Sequence, residues 1–315
     1  MITLAEFKIL IQLLKNKFQT QREIAEDLNM SLGKVNSVIS ELKNKDLING
    51  NNAITNAGLV ELEPYKVNNA VILAAGMSTR FAPLSYEKPK GLLNVKDEIL
   101  IERQIKQLHS VGIKDITLVV GYMKEKMFYL EEKYGVEIVV NEDYYRYNNT
   151  SSMMLVANKL SNTYICSSDN YFEKNPFEKY VYKGYYSSVY EEGETDEYCI
   201  SFDKKDRIID VKVGGCNSWV MLGHVYFDRE FSNKFSSILR EEYKKQAVKE
   251  GLWEDLYIRF ISELDLRIRR YSKDIIREFD SLDELREFDK DYLKNTNSRI
   301  LNNISNTFIL LYSYR

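Results

Sequence analysis

An apolar segment that runs directly into a loop of small and basic residues constrains this 315-residue sequence more than any other feature. Residues 70–74 have the composition of a buried strand, and residues 76–85 follow as a loop. At Ala74, Ala75 and Gly76 the side chains are minimal, so backbone N–H groups can approach phosphate oxygens. The pattern predicts a first strand whose carboxyl end opens into an anion-binding loop.

Two cations accompany this loop, Arg80 within it and Lys90 shortly after it. An arginine offers a planar fork of donors, whereas a lysine offers a compact point charge. Small residues, an arginine and a lysine at the end of a first strand together fit the phosphates of a nucleoside triphosphate. We therefore predict that Arg80 and Lys90 neutralise negative charge on such a ligand.

Strands and helices alternate after the loop. Predicted strands cover residues 70–74, 116–120, 136–140 and 164–166, and predicted helices cover residues 99–111, 124–134 and 152–159. Alternation at this spacing is typical of parallel strands joined by right-handed crossovers. The predicted fold class is therefore α/β, with a mainly parallel, Rossmann-like sheet flanked by helices.

Composition limits the chemistry that this chain can perform. Hydrophobic residues make up 44% and charged residues 29%, which is typical of a globular protein. No apolar run approaches the ~18 residues of a membrane span, and the N-terminus lacks a signal sequence, so we expect a cytoplasmic protein without membrane contact. With 2 histidines, the chain lacks the parts for a histidine metal cluster or proton relay. Lys, Arg, Asp and Glu must carry the chemistry.

The N-terminal region differs from the rest of the chain. Thr3, Thr20 and Ser31 are placed to cap three short helices, and the Asn49-Gly50 step is typical of a hairpin turn. Three helices followed by a hairpin resemble a winged helix-turn-helix domain. Acidic and basic side chains nearly balance here, so the phosphate contacts that dominate DNA affinity are few. DNA binding is therefore open but less favoured than regulation, docking or formation of a homodimer.

The residues around the two cations resemble the signature of nucleotidyltransferases that activate sugar phosphates and alcohol phosphates. That signature is A-A-G-x-G-T-R followed shortly by P-K-P-L-L. This sequence reads AAGMSTR at 74–80 and PKGLL at 89–93. Ser78 replaces the second glycine of the pattern, and Gly91 replaces its second proline.

Within that superfamily the chain most resembles the bacterial CTP:phosphocholine cytidylyltransferases. The resemblance covers residues 70–292 and rests on stretches such as SSDNYFEKN at 167–175 and WEDLY at 253–257. It implies Mg²⁺-dependent transfer of CMP from CTP to phosphocholine, giving CDP-choline and pyrophosphate. The attacking phosphate oxygen is already ionised at neutral pH, so the scarcity of histidine is no obstacle.

These patterns divide the chain into domains. We predict a winged helix-turn-helix domain at residues 1–62, a linker at 63–69, a nucleotidyltransferase domain at 70–292 and a C-terminal tail at 293–315. All residues expected to act chemically follow the linker. A chain that begins near Lys66 is therefore expected to stay soluble and active.

The resemblance places metal-binding carboxylates at Asp169 and Glu254. Asp169 ends a predicted strand, at the sheet edge where open α/β folds bind their ligands. Glu254 stands where the family has a second metal-binding aspartate, and Asp255 is the alternative. One or two carboxylates with phosphate oxygens and water suit Mg²⁺.

Nucleotide contacts are expected from the loop and from an asparagine pair further along. The expected residues are Leu73, Ala74, Ala75, Gly76, Ser78, Thr79, Asn148 and Asn149. An asparagine amide presents a donor and an acceptor together, which suits the edge of a cytosine. The same asparagines could equally cap the helix that follows, and both roles are compatible.

The acceptor end requires aromatic faces and a carboxylate if its headgroup is a quaternary ammonium, because such a cation donates no hydrogen bonds. The aromatic candidates are Tyr190, Tyr198, Trp219 and Trp253. Glu278 is the candidate carboxylate, since the resemblance places a choline-contacting acid there. Tyr198 stands where a tryptophan is common in the family.

Other functions remain open. The same chemistry could serve another acceptor, such as 2-aminoethylphosphonate or a sugar 1-phosphate. A primary ammonium donates hydrogen bonds and favours carboxylates over rings, and Glu191, Glu192 and Glu194 keep that alternative open. A transcription regulator that only senses a nucleotide is a further alternative, although a sensor has no need of the charge-neutralising residues.

Overall fold

The computed structural model describes residues 1–16, 19–279, 281–294 and 298–313. The described residues divide into two compact units. The N-terminal unit consists of Met1–Val67 together with Glu178–Tyr182, and the C-terminal unit consists of Asn68–Phe177 and the described residues from Lys183 onward. In this described part of the chain, no helix is both long and apolar enough to cross a membrane.

Helices form most of the N-terminal unit. Their bounds are α1 Leu4–Lys15, α2 Gln21–Asp27, α3 Leu32–Asn44 and α4 Asn56–Leu62. Thr3 caps α1 and Thr20 caps α2, each in a capping box with the glutamate three residues later. Ser31 caps α3. The caps that the sequence predicts are present and set where the helices of the helix-turn-helix begin.

The predicted hairpin after α3 is shorter than expected and is reduced to an isolated antiparallel bridge. The side chain of Asn49 accepts hydrogen bonds from the N–H groups of Asn51 and Ala53, so the turn closes on itself. The sequence analysis did not predict α4. This helix follows at once because Thr55 caps it through the N–H of Gly58.

Lysines at the end of α3 are engaged inside the N-terminal unit. Nζ of Lys45 lies 2.6 Å from a carboxylate oxygen of the buried Glu6. Nζ of Lys43 donates to the carbonyl oxygen of Gly50 at 3.1 Å. These contacts leave less positive charge for DNA phosphates, in agreement with the near balance of charges in the sequence.

The segment Glu178–Tyr182 completes the core of the N-terminal unit although it lies in the middle of the sequence. Tyr182 stacks on Tyr65 with ring centroids 5.2 Å apart, and its hydroxyl donates to the carbonyl oxygen of Ile2 at 3.2 Å. The N–H of Val181 donates to the carbonyl oxygen of Tyr65 at 2.8 Å. Residues 63–67 of the predicted linker thus belong to this unit, whereas Asn69 already begins the first strand of the other unit. A chain that begins near Lys66 would lack Ile2 and Tyr65, the partners of this segment.

Strands of the C-terminal unit follow the alternation that the sequence predicts. Their bounds are β1 Asn69–Ala74, β2 Asn94–Val95, β3 Glu98–Ile99, β4 Ile116–Val120, β5 Glu137–Val140, β6 Thr163–Ser167, β7 Asn170–Phe172, β8 Tyr185–Phe202, β9 Ile208–Phe227, β10 Arg267–Arg270 and β11 Ile276–Glu278. Within the described residues, seven strands form one sheet in the order β10-β8-β9-β6-β1-β4-β5. Strands β6, β1, β4 and β5 are parallel, which confirms the predicted mainly parallel sheet.

Helices cover the sheet and extend the chain beyond it. Their bounds are α5 Leu100–Ser110, α6 Tyr129–Tyr134, α7 Asn149–Leu155, α8 Arg229–Glu242, α9 Gln246–Glu250, α10 Trp253–Arg259, α11 Leu282–Phe288, α12 Asp291–Lys294 and α13 Arg299–Ser313. Helices α5 and α7 lie close to their predicted positions. The predicted helix at 124–134 is divided, because a 3₁₀ turn precedes α6.

A long antiparallel hairpin, β8 and β9, was not predicted. Its strands contain 18 and 20 residues and continue past the edge of the parallel core. The β8 sequence carries a run of acidic residues and a glycine in its middle, so it lacks the alternation by which a strand is recognised. Pairing with β9 determines its conformation.

The segment predicted as a C-terminal tail contains α13. The carboxylate of Glu87 caps this helix by accepting hydrogen bonds from the hydroxyl of Ser298 and from the N–H groups of Arg299 and Ile300. Glu87 lies in the loop between the two parts of the signature. The capping acid is far away in sequence, so local patterns do not reveal it.

We expect Tyr182→Ala to destabilise the N-terminal unit, because the change removes the stack on Tyr65, the contact with Phe7 and the hydrogen bond to Ile2. The free energy of unfolding should fall by about 2 kcal/mol. Urea denaturation and limited proteolysis measure the loss. Tyr86→Ala, at a tyrosine that is 63% exposed, is the control and should leave stability nearly unchanged. Equal stability of the two variants would contradict the assignment of this segment to the N-terminal core.

Candidate active site

A cavity of about 570 Å³ opens where β1 and β6 end. Its walls come from the loop after β1, the turn before β2, the segment after β5 and the turn after β6. The lining residues are Leu73 to Thr79, Pro89 to Gly91, Asn141, Tyr144 to Asn149, Ser152, Ser167 to Asp169 and Glu250. This is the sheet edge at which open α/β folds bind their ligands.

The first cavity brings together most of the site residues that the sequence predicts. All expected nucleotide-binding residues line it, and so do Lys90 and Asp169. Arg80 is not among the lining residues. It lies in the 3₁₀ turn Thr79–Phe81, directly after the lining residue Thr79, and its side chain is exposed.

An ion pair between Lys90 and Asp169 lies at the floor of this cavity. Nζ of Lys90 is 2.9 Å from Oδ2 of Asp169, and the two side chains are 8% and 22% exposed. The ammonium group also lies over the ring of Phe81, 5.1 Å from its centroid. Burial weakens the screening of this pair by water, so the two charges act strongly on anything bound beside them.

Both departures from the signature are accommodated by the backbone. Ser78 has φ 51° and ψ 42°, so it adopts the left-handed conformation that favours a glycine. Gly91 packs against the turn after β6, where a Cβ on this residue would lie 2.9 Å from Cβ of Ser168. The loop therefore keeps a glycine-like bend at Ser78, and the close approach at Gly91 brings Lys90 up to Asp169.

The carboxylate of Asp169 fits the role of a metal ligand. Oδ2 is paired with Lys90, whereas Oδ1 is buried and has no hydrogen-bond partner. An orphaned buried carboxylate oxygen is costly unless a donor or cation completes it. No group of three His, Cys, Asp or Glu side chains converges among the residues that the structure describes. A Mg²⁺ ion here would therefore depend on Asp169 and on phosphate oxygens and water.

The two candidates for the second metal carboxylate differ in their contacts. Oε2 of Glu254 accepts a hydrogen bond from Nδ2 of Asn149, a cavity residue, and Oε1 accepts one from Tyr186. Both oxygens of Asp255 are engaged elsewhere, one by the hydroxyl of Tyr198 and one by the N–H of Leu252 at the start of α10. Neither carboxylate lines the cavity, but Glu254 contacts a residue that does, so the contacts favour Glu254 over Asp255 as the second candidate.

The asparagine pair has a structural role in addition to its position on the cavity wall. Oδ1 of Asn148 accepts from the N–H of Asn149 at 2.8 Å and caps α7. Oδ1 of Asn149 accepts from the N–H of Trp253 at 2.8 Å. These contacts hold the start of α7 against the start of α10. A contact between the two asparagines and the cytosine base stays a prediction.

A second cavity of about 470 Å³ lies beside β11. Its lining residues are Val189, Glu191, Leu222, Lys273, Ile276, Arg277, Glu278, Phe279, Glu284, Glu287 and Phe288. Strand β11 pairs with β7, and Oε2 of Glu278 accepts from Nδ2 of Asn170 at 3.2 Å. Because Asn170 follows Asp169 directly, Glu278 lies on the strand next to the ion pair of the first cavity.

The predicted aromatic residues do not form a cage. Trp253 is 2% exposed and stacks on Tyr186 within the core. Tyr198 donates its hydroxyl to Asp255. Tyr190 and Trp219 pack edge to face with centroids 5.5 Å apart, and Tyr190 is 39% exposed. None of the four lines either cavity described here.

Sequence reasoning missed cavity residues on the segment after β5. Asn141 is 3% exposed and donates to the hydroxyls of Ser151 and Ser152, which anchors this segment to α7. Arg146 adds a second cation to the wall. The position of this segment directly after a predicted parallel strand is the signal that could have identified both residues.

The Lys90–Asp169 pair should behave as a coupled unit in stability measurements. Lys90→Met and Asp169→Asn each leave the other charge partly buried without its partner, and each should lower the free energy of unfolding by about 2 kcal/mol. The double variant should lose less than the sum, because it removes both charges together. Urea unfolding of the four proteins gives the coupling energy. Strict additivity would show that the pair contributes nothing beyond its separate side chains.

A pH dependence follows from Glu254. Burial raises the pKa of its carboxyl from 4.5 to about 7, although hydrogen bonds from Asn149 and Tyr186 partly offset this. A raised pKa means that the folded protein holds the proton on Glu254 more tightly than the unfolded chain does. The protonated carboxyl therefore contributes its full stability below the unfolded pKa of 4.5, and this contribution is lost as pH rises through about 7. Glu254→Gln should therefore gain stability relative to the wild type between about pH 5 and about pH 8. Thermal unfolding in EDTA measures this, and a pH-independent difference would contradict it.

Comparison with known families agrees with this geometry. The sequence profile of the MobA-like NTP transferase domain matches residues 70–171, and that of a winged helix-turn-helix DNA-binding domain matches residues 3–49. The choline-phosphate cytidylyltransferase of Streptococcus pneumoniae is 36% identical over 228 residues, which are 72% of this chain and 99% of that protein.

Two further comparisons extend this similarity. The 2-aminoethylphosphonate cytidylyltransferase of Lancefieldella rimae is 33% identical over 229 residues, covering 71% of this chain and 93% of that protein. The solved structure of the CTP:phosphocholine cytidylyltransferase from Streptococcus pneumoniae aligns with a TM-score of 0.68 at 36% identity, covering 70% of this chain and 96% of that one. With relatives of this identity matched along almost their whole length, the chain belongs to the cytidylyltransferase family of MobA-like nucleotidyltransferases and carries a winged helix-turn-helix at its N-terminus.

Proposed function

We propose that this protein transfers CMP from CTP to phosphocholine, releasing pyrophosphate and CDP-choline, with Mg²⁺ as its cofactor. The observation that carries the proposal is the Lys90–Asp169 pair, which lies in one cavity with the small-residue loop after β1. That arrangement combines phosphate-binding backbone, a buried cation and an orphaned carboxylate oxygen. The similarity to a choline-phosphate cytidylyltransferase supports the choice of nucleotide and acceptor.

The cavity residues have distinct tasks in this reaction. Two anions must approach each other, so positive charge is the principal requirement, and Lys90 and Arg146 supply it from the cavity wall. In this proposal, backbone N–H groups of the loop from Ala75 to Ser78 bind phosphate oxygens. Asp169 would hold Mg²⁺ through Oδ1, and the bound ion would neutralise charge on the nucleotide phosphates.

The second cavity supports a cationic headgroup on the acceptor. Glu278 lies next to Asn170 in the β7–β11 pair, so a phosphate near Asp169 would leave the far end of a small acceptor close to that carboxylate. Carboxylates of Glu191, Glu284 and Glu287 line the same cavity. Lys273, which pairs with Glu191, and Arg277 line the cavity too, so the carboxylates outnumber the cations and the net negative charge attracts an ammonium group.

A second candidate acceptor is 2-aminoethylphosphonate, and the composition of the second cavity favours it. The predicted aromatic cage is absent from the cavity wall, whereas several carboxylates are present. A primary ammonium donates hydrogen bonds that carboxylates accept, while a quaternary ammonium depends on ring faces such as those of Phe279 and Phe288. The 33% identical relative named for this acceptor gives independent support.

Pyrophosphate release decides between these functions. The purified protein is assayed with CTP and Mg²⁺ against phosphocholine, 2-aminoethylphosphonate and glucose 1-phosphate, with UTP and ATP as alternative nucleotides. We expect the highest kcat/KM with CTP and phosphocholine. Lys90→Met and Asp169→Asn should each reduce it by ~10²-fold or more. A preference for 2-aminoethylphosphonate would select the second candidate, and no release with any pair would contradict both.

The same assay tests the acceptor cavity. Glu278→Gln should raise the KM for the acceptor by about tenfold or more, because a charged hydrogen-bonding group is lost, while the KM for CTP stays unchanged. Glu132→Gln, which removes an exposed carboxylate of α6 outside both cavities, is the matched control. If the two variants have the same acceptor KM, Glu278 does not bind the headgroup.

A further inference from the structure

We propose that Gln104 is a positioning residue that holds Asp169 in the geometry needed for metal and nucleotide binding. Gln104 lies on α5 and is 1% exposed. Its Nε2 donates to the carbonyl oxygens of Ser167 and Asn170, each at 2.8 Å. These carbonyls flank the turn that carries Asp169, so one amide group clamps both ends of the turn. The inference rests on the proposed function, in which Asp169 binds Mg²⁺.

A glutamine at this position is not explained by the packing of α5. Ile101, Ile105 and Leu108 form the buried stripe of the helix, and Gln104 lies within that stripe. A polar side chain in a buried stripe costs free energy unless its hydrogen bonds are made. The amide nitrogen has two N–H donors, and both find a carbonyl oxygen of the same turn, whereas the amide oxygen is buried without a partner.

Strand pairing also holds the residues at the two ends of the turn, Ser167 against Leu73 of β1 and Asn170 against Glu278 of β11, and Gln104 joins the two ends through one side chain. The N–H of Ser168 donates to the carbonyl oxygen of Leu73 at 3.0 Å, which fixes the turn to the end of β1. Lys90 pairs with the side chain of Asp169. Without the amide, the carbonyl groups of Ser167 and Asn170 would lose these donors, and the turn that carries the orphaned Oδ1 of Asp169 would be held less tightly.

The same helix offers a matched control. Nε2 of Gln107, one turn further along α5, donates to the carbonyl oxygen of Phe172 at 3.0 Å. Arg103 also donates to Phe172 and contacts Glu173. These bonds hold β7 beyond the turn. Removing Gln107 therefore breaks the same kind of bond between the same helix and the next segment, without releasing Asp169.

The test compares Gln104→Met with Gln107→Met, since methionine preserves side-chain volume and removes the amide. Binding of Mn²⁺ in the presence of CTP is measured by electron paramagnetic resonance, alongside kcat and thermal unfolding. Gln104→Met should weaken Mn²⁺ binding by about 10- to 100-fold, the range for loss of a residue that orients a metal ligand. Gln107→Met should lower the melting temperature and leave Mn²⁺ binding unchanged. Wild-type Mn²⁺ binding in Gln104→Met would overturn the inference.

A double-variant cycle separates positioning from general loosening of the fold. In an Asp169→Asn background the clamp has no carboxylate to position, so adding Gln104→Met should weaken Mn²⁺ binding no further. A full additional loss would show that Gln104 acts elsewhere and would overturn the proposal.

Gln104→Asn keeps the amide but shortens its reach, so it covers the case in which Gln104→Met does not fold. It should also weaken Mn²⁺ binding, and unchanged binding in this folded variant counts against the clamp.

These measurements also distinguish this inference from the proposed function. A wild-type protein that binds Mn²⁺ with CTP but releases no pyrophosphate with any acceptor contradicts the proposed function, while the Mn²⁺ titration still tests the clamp. A wild-type protein that turns over phosphocholine, together with a Gln104→Met variant that matches it in kcat and Mn²⁺ binding, contradicts the clamp alone. Failure of the wild type to bind Mn²⁺ contradicts both.

Discussion

The ion pair between Lys90 and Asp169 is the interaction on which the site depends. Two partly buried charges 2.9 Å apart are stable only if the backbone on both sides holds them in register, because each would be costly alone. The end of β1 fixes the turn after β6, and Gly91 lets the signature segment pack against Ser168. The cavity therefore forms where these segments meet at the edge of the parallel sheet.

The short β7–β11 pair connects this ion pair to the acid-lined second cavity. Asn170 begins β7 directly after Asp169, and its amide reaches Glu278 on β11. A ligand with a phosphate at one end and a cation at the other matches this order of charges, with positive groups in the first cavity and carboxylates in the second. Helix α5 supports this connection, because its side-chain donors form hydrogen bonds with backbone carbonyl groups of residues 167–173.

Segments outside the sheet are built into the structure by residues far away in sequence. The N-terminal unit takes Glu178–Tyr182 into its core, and Tyr182 stacks there on Tyr65. At the other end of the chain, Glu87 of the signature loop caps α13. Each contact joins residues separated by more than a hundred positions, which is why local sequence patterns do not reveal it.

The sequence predicts the caps of the first three helices, the parallel strands and the loop after β1, because these depend on local chemistry and periodicity, whereas Asp169 was expected from the family resemblance and its pairing with Lys90 was not predicted. The tertiary structure alone decided that Trp253 is a core residue, that Glu254 faces Asn149, and that a glutamine of α5 clamps the turn of Asp169. It also decided the long β8–β9 hairpin, whose acidic sequence has no strand signal until it pairs. Such features depend on which distant groups meet after folding, and spacing along the chain does not encode that choice.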